Sequence, residues 1–425
     1  MFKVWFNHLA MYTFVWMGML IFFELRLLNY FPLTNYTWYI IVSGFLSFLF
    51  GVLVVYTARN SMKQEVIVVD NINENEIPIL ADNGKAIKYT LYITGIIALL
   101  AAVQNWYVLI QKFGSIPAVF ISANSIYRLR VEGKLGGVLP YLGFFSFIGI
   151  CLAGVYTAYK GKLTLAAFLP IFGSILKSVA QFGRIGMLIA LVQFIASFFI
   201  FKNYLDSRRE KKKLKWKLVI PVVLIILIVI GSSSLIKSFR GSYERYRGAS
   251  KELRTLTENP FFSPSVYLYL SSHVGVLNQY LIKDVEDTKF GETTFSPFYN
   301  ISAKLGFNEP IPFDLKGYYI PMWTNSGTIL RDFHSDFGML GVYLGPFILG
   351  ALCTFFWFQF YEKKKMIYFI LLVYFFMVVT ISFFSSVMKG ADWYISLFIF
   401  FWLIPFLERQ AIINKNIERE AVKVE

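Results

Sequence analysis

The sequence predicts an all-α, polytopic integral membrane protein of about ten transmembrane helices (10–12), with one large extracytoplasmic loop or cap. Three observations predict it. Apolar residues are 56% of the 425 residues and charged residues only 16%, against about 25% charged in an ordinary globular domain. Several stretches of 17 or more residues carry no charge, and about 20 apolar residues at ~1.5 Å each cross a hydrocarbon layer of ~30 Å. Ten-residue alternating strands are absent, so the spans are helices.

In chain order, the first span covers roughly 6–23, and "ELRLL" (Glu24–Leu28) after it offers no small-residue cleavage site, so it reads as uncleaved. Spans at roughly 37–57, 88–110, 136–158, 163–180 and 185–201 follow. The last two are joined by the very short "SVAQFGRIG", which also fits two re-entrant or tilted helices. A seventh span, 218–236, precedes a segment of about 101 residues, 237–337, long enough for a folded cap. Spans at 338–360, 366–386 and 391–407 complete the set. The chain thus divides into N-terminal membrane helices (1–236), a cap (237–337), C-terminal membrane helices (338–407) and a tail (408–425).

Lys and Arg in short loops mark the cytoplasmic side. "KNYLDSRREKKKLKWK" (Lys202–Lys217) carries eight basic residues, and "EKKK" (Glu362–Lys365) adds three. With both inside, both termini and the loops 57–88 and 159–162 are inside too. Outside lie 24–36, 111–135, the turn at Arg184, the cap and a tight turn at Lys389.

The net charge of +15 sits in loops between spans, where anionic lipid head groups account for most of it, so no nucleic-acid partner is expected. Cys151 and Cys353 fall inside apolar runs. No His/Cys/Asp set has metal-ligand spacing, so neither metal nor cofactor is expected. "GKLGG" (Gly133–Gly137) lacks the Lys-Ser/Thr ending of a phosphate loop and reads as a turn.

Three stretches carry candidate chemistry. In "IKSFRGSYERYRGASKELR" (Ile236–Arg254), Lys237, Arg240, Arg245, Arg247, Lys251 and Arg254 outweigh Glu244 and Glu252 just outside the bilayer. Arginine's planar fork takes two phosphate oxygens at once and lysine acts as a point charge, so the cluster suits a phosphate; snorkelling to lipid head groups is the alternative. Arg184 interrupts the apolar "LKSVAQFGRIGMLIAL", and a charge at mid-helix costs ~2.5–3.5 kcal/mol on insertion scales. It therefore faces a polar cavity, shared with Lys177, or sits at the outer interface. In "TNSGTILRDFHSDFGMLGVYLGPF" (Thr324–Phe347), Arg331 suits the phosphate site, and His334 and Asp336 are candidate acceptors of a hydroxyl proton. Helix capping by Asp332 or Asp336 is the alternative. Gly338, Gly341 and Gly345 give the eighth span a thin face for close helix packing.

Weaker candidates are His273, on "PSVYLYLSSHVGVLNQYLI" (Pro264–Ile282), which reads as an interfacial helix, and Arg128 with Arg130, which either extend the basic mouth or are solvated loop charges. Tyr318, Tyr319, Trp323 and Trp393 read as membrane-boundary aromatics.

These features resemble the bacterial oligosaccharide repeat unit polymerases, the Wzy proteins of O-antigen and capsule assembly. The resemblance rests on ten or more spans with one large late loop, on "GRIGMLIAL" with Arg184, on "FRGSYERYRG" opening the loop and on "TILRDFHSDFGMLG" closing it. It covers most of the chain, although the paired arginine-to-glycine motif of some members is absent. It implies a metal-independent membrane glycosyltransferase on the outer face of the bacterial inner membrane, using an undecaprenyl-pyrophosphate-linked glycan as donor and a lipid-linked repeat unit as acceptor. Arg184, Arg240, Arg245, Arg247 and Arg331 would hold the pyrophosphate, His334 or Asp336 would take the proton, and His273 and Arg128 would contact acceptor sugar. Implied partners are the lipid-linked oligosaccharides, the bilayer, a flippase and a chain-length regulator. Two rivals stand beside it. A lipid-linked oligosaccharide flippase would show two-half pseudo-symmetry with charges deep in many spans, and such charges are scarce here. A lipid-to-acceptor glycan ligase would share the clamp and differ in acceptor.

Overall fold

The structure, a computed structural model, describes residues 4–63, 77–131, 134–136, 142–208, 223, 231, 250–255, 264–285, 288–309, 311 and 316–424. The expected seventh span falls outside these residues apart from Val223 and Gly231. The basic stretch carrying Arg240, Arg245 and Arg247 lies wholly outside them.

The helices are α1 (His8–Glu24), α2 (Asn35–Lys63), α3 (Lys85–Phe113), α4 (Ile116–Ile121), α5 (Ala123–Val131), α6 (Gly143–Lys160), α7 (Leu165–Ala180), α8 (Ile185–Arg208), α9 (Lys251–Thr255), α10 (Pro264–Lys283), α11 (Ser296–Lys304), α12 (Ile329–Lys363), α13 (Met366–Ile381) and α14 (Ala391–Val424). A two-stranded antiparallel ribbon, β1 (Tyr318–Tyr319) and β2 (Trp323–Thr324), precedes α12 and pairs Tyr318 with Thr324. Within α2, α3, α6, α8, α12 and α14, six segments are long and apolar enough to cross a membrane, and α1, α7 and α13 are shorter apolar helices. The protein is a helical, multi-pass membrane protein.

The helix starts follow from local chemistry. Asn7, Thr164 and Thr328 each accept a hydrogen bond from a first-turn amide of α1, α7 and α12 respectively, satisfying donors that have no intrahelical partner. Between helices, small residues let backbones touch. A Cβ added at Gly51 of α2 would lie 2.0 Å from the Phe347 carbonyl oxygen of α12, and one at Gly350 of α12 would lie 2.3 Å from that of Phe48.

Several expectations are corrected or refined. A short helical stretch that Thr328 caps precedes the eighth span, and Gly338 breaks it with φ 59° and ψ −145°, a conformation that a Cβ would disfavour, so the apolar helix starts just past Gly338, next to the expected residue 338. Past the break the element folds against its own start. A Cβ at Gly341 would meet the Phe333 carbonyl oxygen at 2.1 Å and one at Gly345 the Phe333 ring at 2.4 Å, so the thin glycine face receives the helical stretch that precedes the break.

The segment 264–282 is not an interfacial helix, since residues 271–281 are all buried. Several of its polar side chains bind α1, the α1–α2 connection and the start of α2. The Tyr267 hydroxyl donates to the Phe22 carbonyl, Tyr30 pairs with Ser271 at 2.7 Å, and Asn278 Oδ1 accepts from Thr34 N–H at 3.0 Å and Thr37 Oγ1 at 2.7 Å. The helix is thus a roof stapled to α1 and α2. Of the boundary aromatics, Tyr319 and Trp323 are exposed, whereas Tyr318 and Trp393 are buried. Residues 408–424 continue α14, held by Asn414 donating to Asp82 at 2.9 Å and by a Lys85–Glu418 ion pair.

If the Gly51 and Gly350 contacts set the α2–α12 spacing, Gly51→Leu will lower the thermal midpoint of the detergent-solubilised protein, overpacking costing about 1–3 kcal/mol. Gly18→Leu, at a site with no atom within 4 Å of an added Cβ, will leave it unchanged.

Candidate functional site

Loops from five parts of the chain meet at one end of the helices around a cavity of about 1120 Å³. They are the end of α5, the α7–α8 turn, α11 with residues 325–327, the α13–α14 turn, and the first turns of α14.

The α7–α8 turn is built by three amides folding back, Gln181 onto Lys177 O at 3.1 Å, Phe182 onto Val179 O at 2.9 Å and Gly183 onto Ser178 O at 3.1 Å, with buried Phe182 at φ 47°. This turn aims Arg184 into the cavity, its guanidinium 5.4 Å from the centre of the Tyr269 ring. Arg184 Nε is a buried donor with no hydrogen-bond acceptor among the described residues. Arg130 comes beside it from α5, so close that a Cβ at Gly183 would lie 2.2 Å from Arg130 Nη1.

Lys304 enters from α11 and Lys389 from the α13–α14 turn. Lys389 Nζ lies 2.8 Å from Oδ1 of Asp332, a carboxylate only 1% exposed. Against these four cations the described lining holds a single carboxylate, Asp392, in the first turn of α14.

The rest of the wall is mostly apolar, with Asn300, Asn325, Ser326, Ser385 and Ser386 among it. It includes Phe147, Ile189 and Ile395 and runs to Phe398 and Phe401, which are 65% and 48% exposed on the outer face of α14. One chamber therefore combines four cations with apolar side chains that reach the exposed surface of α14.

Of the candidates read from the sequence, Arg184 and the weaker candidate Arg130 line this cavity among the described residues. Arg331 is buried elsewhere, its guanidinium 5.0 Å from the Tyr318 ring centre and 5.6 Å from that of Tyr280, with Nη2 donating to the Lys316 carbonyl at 2.6 Å. His334 is held between the hydroxyls of Tyr280, 3.1 Å from Nδ1, and Tyr36, 3.3 Å from Nε2. Asp336, fully buried, accepts the Thr293 and Thr294 amides at 2.8 and 2.6 Å and so pins the loop before α11. Neither His334 nor Asp336 lines the chamber as a base must. Each is spent on holding the cap to α12.

Arg128 is exposed on α5 and stays outside the lining, whereas Arg130, half a turn on, enters it. Lys251 and Arg254, the described end of the basic stretch, are exposed on α9 and do not line the cavity. Lys304, Lys389 and Asp392 were missed. The signal for the last two was a lysine and an aspartate in "MKGAD", a tight turn between apolar runs that gives neither charge a local reason to be there.

His273 does not line the cavity, yet it supports the wall. Nε2 donates to the Tyr269 carbonyl at 2.8 Å and Nδ1 faces the Ser326 carbonyl at 3.3 Å, and both Tyr269 and Ser326 line the chamber. Burial pushes the imidazole down to about 4, against the opposing pull of these two carbonyls.

Comparison with protein-family models, with curated proteins and with solved structures finds no match to this chain.

A neutral buried imidazole makes the cap acid-sensitive. An unfolded histidine binds its proton near pH 6.5, so stability is complete above that pH and falls as pH drops towards 4, by up to about 3 kcal/mol. Thermal midpoints between pH 7.5 and 4.5 will show this slope, and His273→Gln will flatten it.

Proposed function

We propose that the chain is a membrane glycosyltransferase that polymerises undecaprenyl-pyrophosphate-linked oligosaccharide repeat units on the outer face of a bacterial inner membrane. The observation that carries this reading is the amphipathic cavity. Arg130, Arg184, Lys304 and Lys389 line it together with apolar side chains that run to the exposed Phe398 and Phe401 on α14. A ligand matching both features has an anionic head and a long apolar tail, as a polyprenyl diphosphate does.

In the proposed reaction the acceptor's sugar hydroxyl attacks the donor's anomeric carbon. A new carbon–oxygen bond forms, the bond to the diphosphate breaks, and the electron pair leaves on undecaprenyl diphosphate. The growing charge needs donors already in place, since groups aimed at developing charge lower the barrier without reorganising. Arg184, with its unsatisfied buried Nε, is the foremost of these and Arg130 its neighbour. Lys389 contributes less, because Asp332 offsets part of its charge. Arg240, Arg245 and Arg247 join the clamp in this proposal on their sequence position alone. Arg331 does not, being locked among Tyr280, Tyr318 and Lys316.

The test is purified protein in lipid vesicles with a defined undecaprenyl-pyrophosphate-linked repeat unit, scored for a ladder of products. Arg184→Ala will slow elongation about 10- to 100-fold, the effect of losing ~1.5–3 kcal/mol of charge-assisted hydrogen bonding. Arg184→Lys will recover part of it. Lipid crossing between leaflets without elongation, or full activity in Arg130→Ala, Arg184→Ala and Lys304→Ala alike, would overturn the proposal.

A further inference from the structure

A second, smaller chamber of about 160 Å³ adjoins the main cavity, and the two share Phe147, Ile189 and Asp392 as wall. Its remaining lining is largely polar, with Ser146, Ser174, Ser178, Gln181, Gln193 and Lys177 drawn from α6, α7, α8 and the α7–α8 turn. At ~30 Å³ per water, a polar space of this size holds several, each with partners at hand. Asp392 thus stands between an anion-suited cavity and a polar side chamber.

Its carboxylate is held in position from two sides. The Phe144 amide at the start of α6 donates to it, and Lys177 interacts with it electrostatically. It also lies directly over the α6 backbone. A Cβ built at Gly143 would sit 1.9 Å from Asp392 Oδ2 and 2.7 Å from its Cγ. Among the described lining residues of the main cavity no other side chain is a carboxylate or a histidine.

We propose that Asp392 is the general base that takes the proton from the attacking sugar hydroxyl and passes it into the side chamber. This rests on the glycosyl-transfer reading of the main cavity. The hydroxyl's O–H bond breaks as its oxygen bonds to the anomeric carbon, and the proton goes to an Asp392 oxygen. The diphosphate departs with the electron pair towards Arg184 and Arg130. Lys177 is a positioning residue, acting on the substrate only through Asp392.

The deciding experiment separates chemistry from binding, using vesicle-embedded protein and an undecaprenyl-pyrophosphate-linked repeat unit. Asp392→Asn will lower kcat at least 100-fold while donor binding, read by quenching of tryptophan fluorescence, stays within about threefold of wild type. Gly143→Ala removes no functional group but displaces the carboxylate, and it will show the same split; it also serves should Asp392→Asn fail to fold. A kcat within threefold of wild type in either folded variant overturns the assignment and leaves the function standing, as does loss of donor binding in step with kcat. Failure of the wild-type protein to elongate at all overturns the function, and the base with it.

Discussion

A buried carboxylate organises this end of the molecule. Asp332 sits in the first turn of α12 at 1% exposure, and a charge so far from water is tolerated only beside an opposite one. Lys389 supplies that charge from the α13–α14 turn, and the Ile329 amide adds a 2.6 Å bond to the Ser382 carbonyl at the other end of the same turn. The two contacts lock the start of α12 to both ends of the α13–α14 turn. Because Asp392 lies three residues beyond Lys389, the lock also fixes where the cavity's carboxylate stands relative to its cations. Removing Lys389 would leave the Asp332 carboxylate buried without that partner, which is strongly destabilising.

The other polar side chains of the "RDFHSDFG" stretch are likewise engaged by partners far away in the sequence, and this explains what the sequence did and did not reveal. Each apolar run that falls within the described residues coincides with a helix, since hydropathy over about 20 residues is a property of the segment alone. The counting of lysines and arginines was also informative. It assigned residues 111–135, Arg184, the cap and Lys389 to one side, and the structure gathers Arg130, Arg184, Lys304 and Lys389 around one chamber. A charge tally works here because it depends on loops one at a time.

Roles within the site were less legible, because a polar residue beside a span looks the same whether it faces a ligand or another part of the protein. His334 read as a base, yet its partners Tyr280 and Tyr36 lie 54 and 298 positions away. Asp336 read as a base or a cap, and the amides it accepts are more than forty positions earlier. No local pattern announces such pairs. Conversely, Asp332 entered only as a possible cap, while Lys389 appeared as nothing more than a turn, although the ion pair between them shapes the cavity.

The placement of charge in the cavity bears on why a single chamber suffices for transfer between two lipid-linked sugars. In the proposed reaction negative charge leaves towards the diphosphate while a proton leaves the attacking hydroxyl, and both movements are eased if each is drawn to its own site. Arg184 and Arg130 stand at the α7–α8 turn, whereas Asp392 is backed by the α6 start and the polar side chamber. Were the carboxylate set directly against the guanidinium groups, it would neutralise the clamp and lose its own basicity to the ion pair. Lys177 reaches Asp392 from the side-chamber wall, and Asp332 draws on Lys389 from behind the cavity. Both acids thus have partners of their own, and the buried Arg184 Nε has no acceptor among the described residues, an arrangement that suits separated flows of proton and leaving group.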